Sequence, residues 1–154
     1  SFALEGWADF APELWESECR RAHRRRLSDL NLPPIIGFEW DPQIADQARD
    51  NIEAAGLSGV ISIHTGSFEQ QTLPNGPGVL VCNPPYGKRI GADEDLEQLY
   101  RSLGQFVREQ ASGWQLWLLS GNAAVTGALR LKASRRIPVS NGGIDCRWLH
   151  YAIR

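Results

Sequence analysis

The chain has 154 residues, 42% of them apolar and 22% charged, and a net charge of −2. That length and composition suit one globular domain with its own core, and the charge excludes a protein that holds nucleic acid by bulk charge alone. No stretch approaches the roughly 18 consecutive apolar residues of a membrane-crossing helix. Cys19, Cys82 and Cys146 are odd in number and widely spaced. They form no metal pattern and no disulfide framework, so neither metal nor membrane is expected, and a reducing, cytoplasmic setting is. A reactive thiol is the alternative use of a lone cysteine. Six tryptophans, no methionine and a start at Ser1 suggest a fragment or a processed chain.

Phe2, Leu4, Trp7 and Phe10 open the chain with little period. Ala11 to Leu30 reads as a long helix, with Pro12 in its first turn and Leu14, Cys19, Ala22 and Leu27 as a loose inward stripe. Its second half carries Arg20, Arg21, His23, Arg24, Arg25 and Arg26. These suit a solvated helix end, or a patch that contacts phosphate. After Pro33-Pro34, Ile35 to Glu39 reads as a strand leaving through Trp40-Asp41-Pro42. A helix follows from Pro42 to about Ala55, with Ile44, Ala45, Ala48 and Ile52 as its apolar face and Gly56 as its stop. Asp41 stands where a cap belongs.

Val60 to His64 is the next strand, ended by Gly66-Ser67-Phe68. A polar loop from Gln70 to Pro77 leads to Val79-Leu80-Val81-Cys82, a short apolar run that reads as a buried parallel strand. Cys82 should there act as a small hydrophobe. Glu94 to about Ala111 is a second long helix, with Leu96, Leu99, Tyr100, Leu103, Phe106 and Val107 at helical spacing. Trp114 to Ser120 is an apolar strand, and Ser120-Gly121-Asn122 starts a short helix. Lys132 to Val139 and Asp145 to Ile153 form a final pair, joined through Ser140-Asn141-Gly142-Gly143, where Asn-Gly is a strong hairpin signal.

The most informative stretch is Asn83-Pro84-Pro85-Tyr86-Gly87-Lys88-Arg89. Two prolines end any ladder, because they lack N–H groups and fix φ, and they leave the Pro84 carbonyl free. A rigid turn at the carboxyl end of a strand is where open α/β sheets bind ligands. This one offers an amide oxygen, a backbone carbonyl and an aromatic ring. An exocyclic amine of a nucleobase is a poor nucleophile, because its lone pair is delocalised into the ring. Two acceptors, Asn83 Oδ1 and the Pro84 carbonyl, match its two N–H groups and favour a more pyramidal nitrogen. Tyr86 offers a face for the base. Lys88 and Arg89 suit phosphate or acidic side chains near the mouth, or a plain solvated loop. Asn-Pro-Pro can also be only a stiff strand-ending turn.

Asn83-Pro84-Pro85-Tyr86 resembles the catalytic motif of S-adenosylmethionine-dependent amino-methyltransferases. Carried on through Gly87-Lys88-Arg89, it resembles the 23S rRNA guanine-N2-methyltransferases that bear a THUMP domain ahead of the catalytic domain. Phe2-Ala3-Leu4-Glu5-Gly6-Trp7, Leu99-Tyr100 with Gly104, and Asn141-Gly142 with Cys146 carry the same likeness. The resemblance implies catalytic roles for Asn83, Pro84, Pro85 and Tyr86, and base or RNA contacts from Tyr86, Lys88 and Arg89. It implies cofactor contacts from Glu39, Trp40, Ser67, Phe68 and Asn83. An acid at the end of the second strand holds the ribose hydroxyls in such sheets. Glu39 aligns with it and Asp41 with the helix cap; the reverse assignment stays open. Ser67 stands where the family often has an acid for the adenine amine, and Phe68 either packs on adenine or fills the core.

The expected fold is therefore α/β: a Rossmann-like methyltransferase sheet, mostly parallel, with an antiparallel C-terminal strand. The resemblance also implies that the family's first strand and Gly-rich cofactor loop are absent, so residues 1–154 are expected to be a partial catalytic domain. Such a piece is expected to bind S-adenosylmethionine weakly or not at all, and to be inactive by itself. The expected partners are 23S rRNA and an upstream THUMP-like domain. Methylation of a tRNA guanine, methylation of a protein glutamine, and a non-catalytic docking module are the alternatives.

Overall fold

The computed structural model describes residues 2–25, 32–85 and 93–154. Tyr86, Lys88 and Arg89 lie outside the described residues. The elements in order are α1 (Pro12–Arg25), β1 (Ile35–Glu39), α2 (Pro42–Ala54), β2 (Ile61–Thr65), β3 (Val79–Cys82), α3 (Asp93–Gln110), β4 (Gln115–Ser120), α4 (Ala123–Thr126), β5 (Arg135–Asn141) and β6 (Ile144–Ala152). Short 3-10 turns occupy Ala3–Gly6, Phe68–Gln70 and Gly127–Leu129.

Local chemistry explains these boundaries. Asp41 Oδ1 accepts from the Gln43 and Ile44 N–H groups, and Pro42 begins α2, so two of the helix's otherwise orphaned donors are satisfied. Gly56 ends it at φ +67°. The hairpin turn is Gly142-Gly143, at φ +58° and +80°, and Asn141 pairs with Ile144. The expected Asn-Gly turn is thus displaced by one residue, because both central positions need the positive φ that glycine adopts freely.

The strands form two groups. β1 and β2 pair in parallel, with Glu39 opposite Thr65. The other sheet has the order β3-β4-β6-β5, in which β3 and β4 are parallel while β6 runs antiparallel to both β4 and β5. Helices flank parallel strands and an antiparallel hairpin closes the chain, as expected of the methyltransferase fold. The division into two groups was not foreseen. It arises because β1 pairs only with β2 and β3 only with β4, which leaves one edge of each unpaired among the described residues.

The core lies between α3, the turn Gly127–Leu129 and one face of the four-stranded sheet. Tyr100, Val107, Leu116, Leu118 and Leu129 are fully buried there. The stripe expected on α3 is the one observed. Gly104 allows α3 its close approach, since a Cβ at that position would collide with the Leu129 carbonyl. Arg108 donates to that same carbonyl at 2.8 Å.

Three burial expectations fail. α1 buries no residue, and Leu14, Cys19 and Ala22 are exposed, because no described element packs along the helix beyond the edge contact of Trp15 with Phe2. Ile44 of α2 is exposed, leaving Ala45 as that helix's buried residue. β3 is half-covered and not buried on both faces: Leu80 and Cys82 pack against the core, whereas Val79 and Val81 are 57% and 67% exposed. The reason is that α3 covers only one face of this strand.

Candidate active site

Two parallel strand pairs end in short loops that carry most of the expected site residues. At the first, β1 delivers Glu39 and Trp40, and β2 delivers Gly66, Ser67 and Phe68. The Gly66 N–H donates to the Glu39 carbonyl at 2.8 Å and locks the two loops together. Gly66 sits at φ +135°, a backbone setting that favours glycine. Glu39 Oε1 accepts from the Asp41 N–H at 2.9 Å. Its Oε2 has no hydrogen-bond partner among the described residues. One carboxylate oxygen thus fixes the orientation and the other is available to a ligand. Asp41, by contrast, commits Oδ1 to the α2 cap. Trp40 is 78% exposed beside them.

Ser67 caps the turn Phe68–Gln70. Its hydroxyl accepts weakly from the Glu69 N–H at 3.4 Å and lies 3.2 Å from Glu69 Oε2, to which it donates. A ligand amine would compete with that local bond. Phe68 stacks edge-on against Phe106 of α3, with ring centroids 5.5 Å apart, and packs on the core. Arg49, which no sequence reading singled out, donates to the Ile63 carbonyl and to Thr65 Oγ1 and ties α2 to the end of β2. Its only sequence signal was a cation on the polar side of α2.

At the second pair, β3 ends in Cys82 and then Asn83-Pro84-Pro85. Asn83 is exposed, and both prolines are half-buried. No hydrogen bond among the described residues engages the Asn83 side chain or the Pro84 carbonyl. Among the described residues, both acceptors are thus without a partner at the strand's carboxyl end. Behind them, burial pushes the Cys82 thiol up to about 12, so it stays protonated and apolar in character. Burial likewise raises the Tyr151 phenol, against a lowering by the Arg136 guanidinium nearby.

β4 ends alongside in Ser120, whose hydroxyl lies 2.7 Å from Thr126 Oγ1 and donates toward the Asn122 carbonyl at 3.1 Å. Asn122 Oδ1 caps α4 by accepting from the Ala124 and Val125 N–H groups. Beside this end of the sheet, a cavity of about 820 Å³ opens between α4 and the β5–β6 hairpin, lined by Ser120, Arg136, Asp145, Arg147 and Tyr151 among others. No sequence reading anticipated it. The available signal was charge: from Gly127 to Arg154 there are six Lys or Arg residues and one acid, Asp145.

Residues 5–150 match the family model described as RMKL-like, methyltransferase domain. The chain belongs to this family. Among its relatives, "Putative RNA methyltransferase slr0064" of Synechocystis sp. is 36% identical over 99% of this chain, which spans 39% of that protein. "Ribosomal RNA large subunit methyltransferase K/L" of Syntrophotalea carbinolica is 34% identical over 99% of this chain, which spans 22% of that protein. The crystal structure of SMU.472, a methyltransferase by its description and complexed with SAH, superposes with a TM-score of 0.84 at 24% identity, covering 100% of this chain and 40% of that one. That last likeness concerns the fold. The chain thus spans less than half the length of each of these three proteins.

Among the described residues, no group of three His, Cys, Asp or Glu side chains has the geometry to hold a metal, and no helix is long and apolar enough to cross a membrane.

Proposed function

We propose that the chain belongs to the catalytic domain of an enzyme that transfers a methyl group from S-adenosylmethionine to the exocyclic N2 of a guanine in 23S rRNA. The observation that carries this reading is the Asn83-Pro84-Pro85 segment at the carboxyl end of β3, with two acceptors that have no partner among the described residues. The names of the relatives, RNA and ribosomal RNA methyltransferases, favour RNA as the substrate.

The donor set at the ends of β1 and β2 fits the adenosine part of the cofactor. Glu39 Oε2, which has no hydrogen-bond partner among the described residues, is suited to the ribose hydroxyls, and Trp40, Ser67 and Phe68 follow in the same two loops. S-adenosylmethionine, when bound, supplies an electrophilic methyl group on sulfur. Asn83 Oδ1 and the Pro84 carbonyl accept the two N–H groups of the guanine amine and fix its nitrogen for attack. Pro85 holds that carbonyl in place by restricting the backbone before it. Tyr86 stacks the base once it has left its helix, and Lys88 and Arg89 hold the flanking backbone. The nitrogen becomes acidic as it is methylated and releases its proton to water, so no strong base is required beforehand.

The proposal extends to what accompanies the chain. A further strand and a Gly-rich loop in the parent protein would complete the cofactor site, and the unpaired edges of β1 and β3 offer places for such a strand. An upstream THUMP-like domain would supply much of the RNA affinity that a net charge of −2 does not. The test is methyl transfer from labelled S-adenosylmethionine by the parent protein to rRNA from cells lacking it, with the product nucleoside identified by mass spectrometry. N2-methylguanosine in 23S rRNA is expected. Label in tRNA or in a protein glutamine, with none in rRNA, would overturn the substrate and keep the amine chemistry.

A further inference from the structure

The β5–β6 hairpin carries a charge arrangement that the amine chemistry does not use. Arg136 and Arg147 lie on one face of it: Arg136 pairs with Leu149, and Arg147 with Pro138, so the two arginines are diagonal neighbours across the strand pair. Diagonal residues on one face are about 7–8 Å apart at their Cα atoms, well within joint reach of two guanidinium groups. Both line the cavity of about 820 Å³ below α4. Neither makes an ion pair or hydrogen bond among the described residues. Elsewhere, Arg20, Arg21, Arg49 and Arg101 each pair with an acid one helical turn away. The hairpin guanidiniums are instead left with their donors unused, in a concave site.

The surroundings point to a ligand of opposite charge. From Gly127 to Arg154, six cations face one acid, whereas Ser1 to Thr126 holds ten cations and seventeen acids. The C-terminal segment is therefore net positive where the rest of the chain is net acidic, and three of its cations, Arg135, Arg136 and Arg147, stand on the hairpin itself. Asp145 lines the cavity as well, but it is not within ion-pairing distance of either arginine, and two cations outweigh it. The cavity lies at the same end of the sheet as the Asn83 turn: Ser120, which ends β4 beside the parallel β3, lines it and pairs with Arg147 of β6. Tyr151 lines it and feels both the Arg136 guanidinium and Cys82, the residue directly before Asn83. A strand of nucleic acid whose base reaches Asn83 would lay its neighbouring backbone across this hairpin.

We propose that the cavity between α4 and the β5–β6 hairpin binds the phosphodiester backbone of the RNA beside the target base, with Arg136 and Arg147 as its phosphate contacts. This rests on the nucleic-acid reading given above. Arginine suits the role because its planar fork donates in pairs to phosphate oxygens and never loses its charge. Such contacts position the strand and carry no sequence information.

The test is fluorescence anisotropy of the chain with a labelled single-stranded RNA of about 15 nucleotides, from low to physiological salt and without cofactor. Arg136→Gln and Arg147→Gln should each weaken binding severalfold and reduce the slope of log affinity against log salt by about 0.7, and the double variant by about 1.4. Arg136→Lys with Arg147→Lys should restore the slope, and Arg101→Gln on the surface of α3 should leave binding unchanged. An unchanged slope in the double Gln variant, or no salt-dependent RNA binding by the chain, would overturn the proposal. So would a poly-glutamate peptide that competes as well as RNA with the same arginine dependence, which would assign the cavity to an acidic polypeptide. Product-nucleoside mapping judges the methyl-transfer reading separately, so failure here and failure there are distinguishable.

Discussion

Asn83 and Cys82 are chain neighbours with opposite characters. Asn83 is exposed and has no hydrogen-bond partner among the described residues, while Cys82 packs against the core with its thiol pushed up to about 12 by burial. Iodoacetamide near pH 8 should therefore modify exposed Cys19 quickly and leave Cys82 and buried Cys146 largely unreacted, as peptide mass mapping would show. Equal labelling of Cys19 and Cys82 would contradict the packing of β3. The same shift fixes a sign for stability. The folded thiol binds its proton more tightly than an unfolded one near 9.0, so this contribution is complete below about pH 9 and is lost as pH rises toward 12. The raised Tyr151 phenol acts in the same direction. Urea midpoints should accordingly fall between pH 8.5 and pH 10.5 in the wild type, and fall less in Cys82→Val.

Elements were legible in the sequence wherever local chemistry decides them. Asp41-Pro42 announced α2, and the six-residue stripe of α3 announced its buried face. Val79–Cys82 and Ile35–Glu39 were placed to the residue. Burial was less legible, because it depends on what covers an element. The apolar run of β3 and the stripe of α1 carry no mark that distinguishes a covered face from an open one. The end of β3 at Cys82 was legible because two prolines cannot continue a ladder. The Arg136–Arg147 pair was not, because register brings together residues eleven apart. Gly104 offers a test at this scale. Gly104→Ala places a methyl group against the Leu129 carbonyl, where both helix and turn are fixed, and should cost about 1–3 kcal/mol by urea denaturation. A stabilised variant, as helix propensity alone would give, would show that α3 and the turn Gly127–Leu129 are not in contact.

Across the whole molecule, stability is unevenly distributed. The buried cluster sits on α3 and the four-stranded sheet, whereas α2 contributes one buried residue, and Phe38 and Phe68 link the β1–β2 pair to the core. Amide hydrogen exchange should be slow in α3, β4 and β6 and distinctly faster in β1, β2 and α2. Uniform protection would show that the two strand groups unfold as one. The unevenness bears on function. In the proposed site, Asn83 follows a strand of the well-packed sheet, while Glu39 ends a strand of the looser pair, one edge of which is unpaired among the described residues.

The most direct test of the amine-aligning turn is single-turnover methyl transfer by the parent protein carrying Asn83→Ala, alongside calorimetric affinity for S-adenosylmethionine. Loss of one positioned acceptor should slow the chemical step by about 10²–10³-fold, as for other preorganised hydrogen-bonding groups, and leave cofactor affinity within about twofold. Equal losses in rate and cofactor affinity would contradict the assignment of Asn83 to the substrate amine.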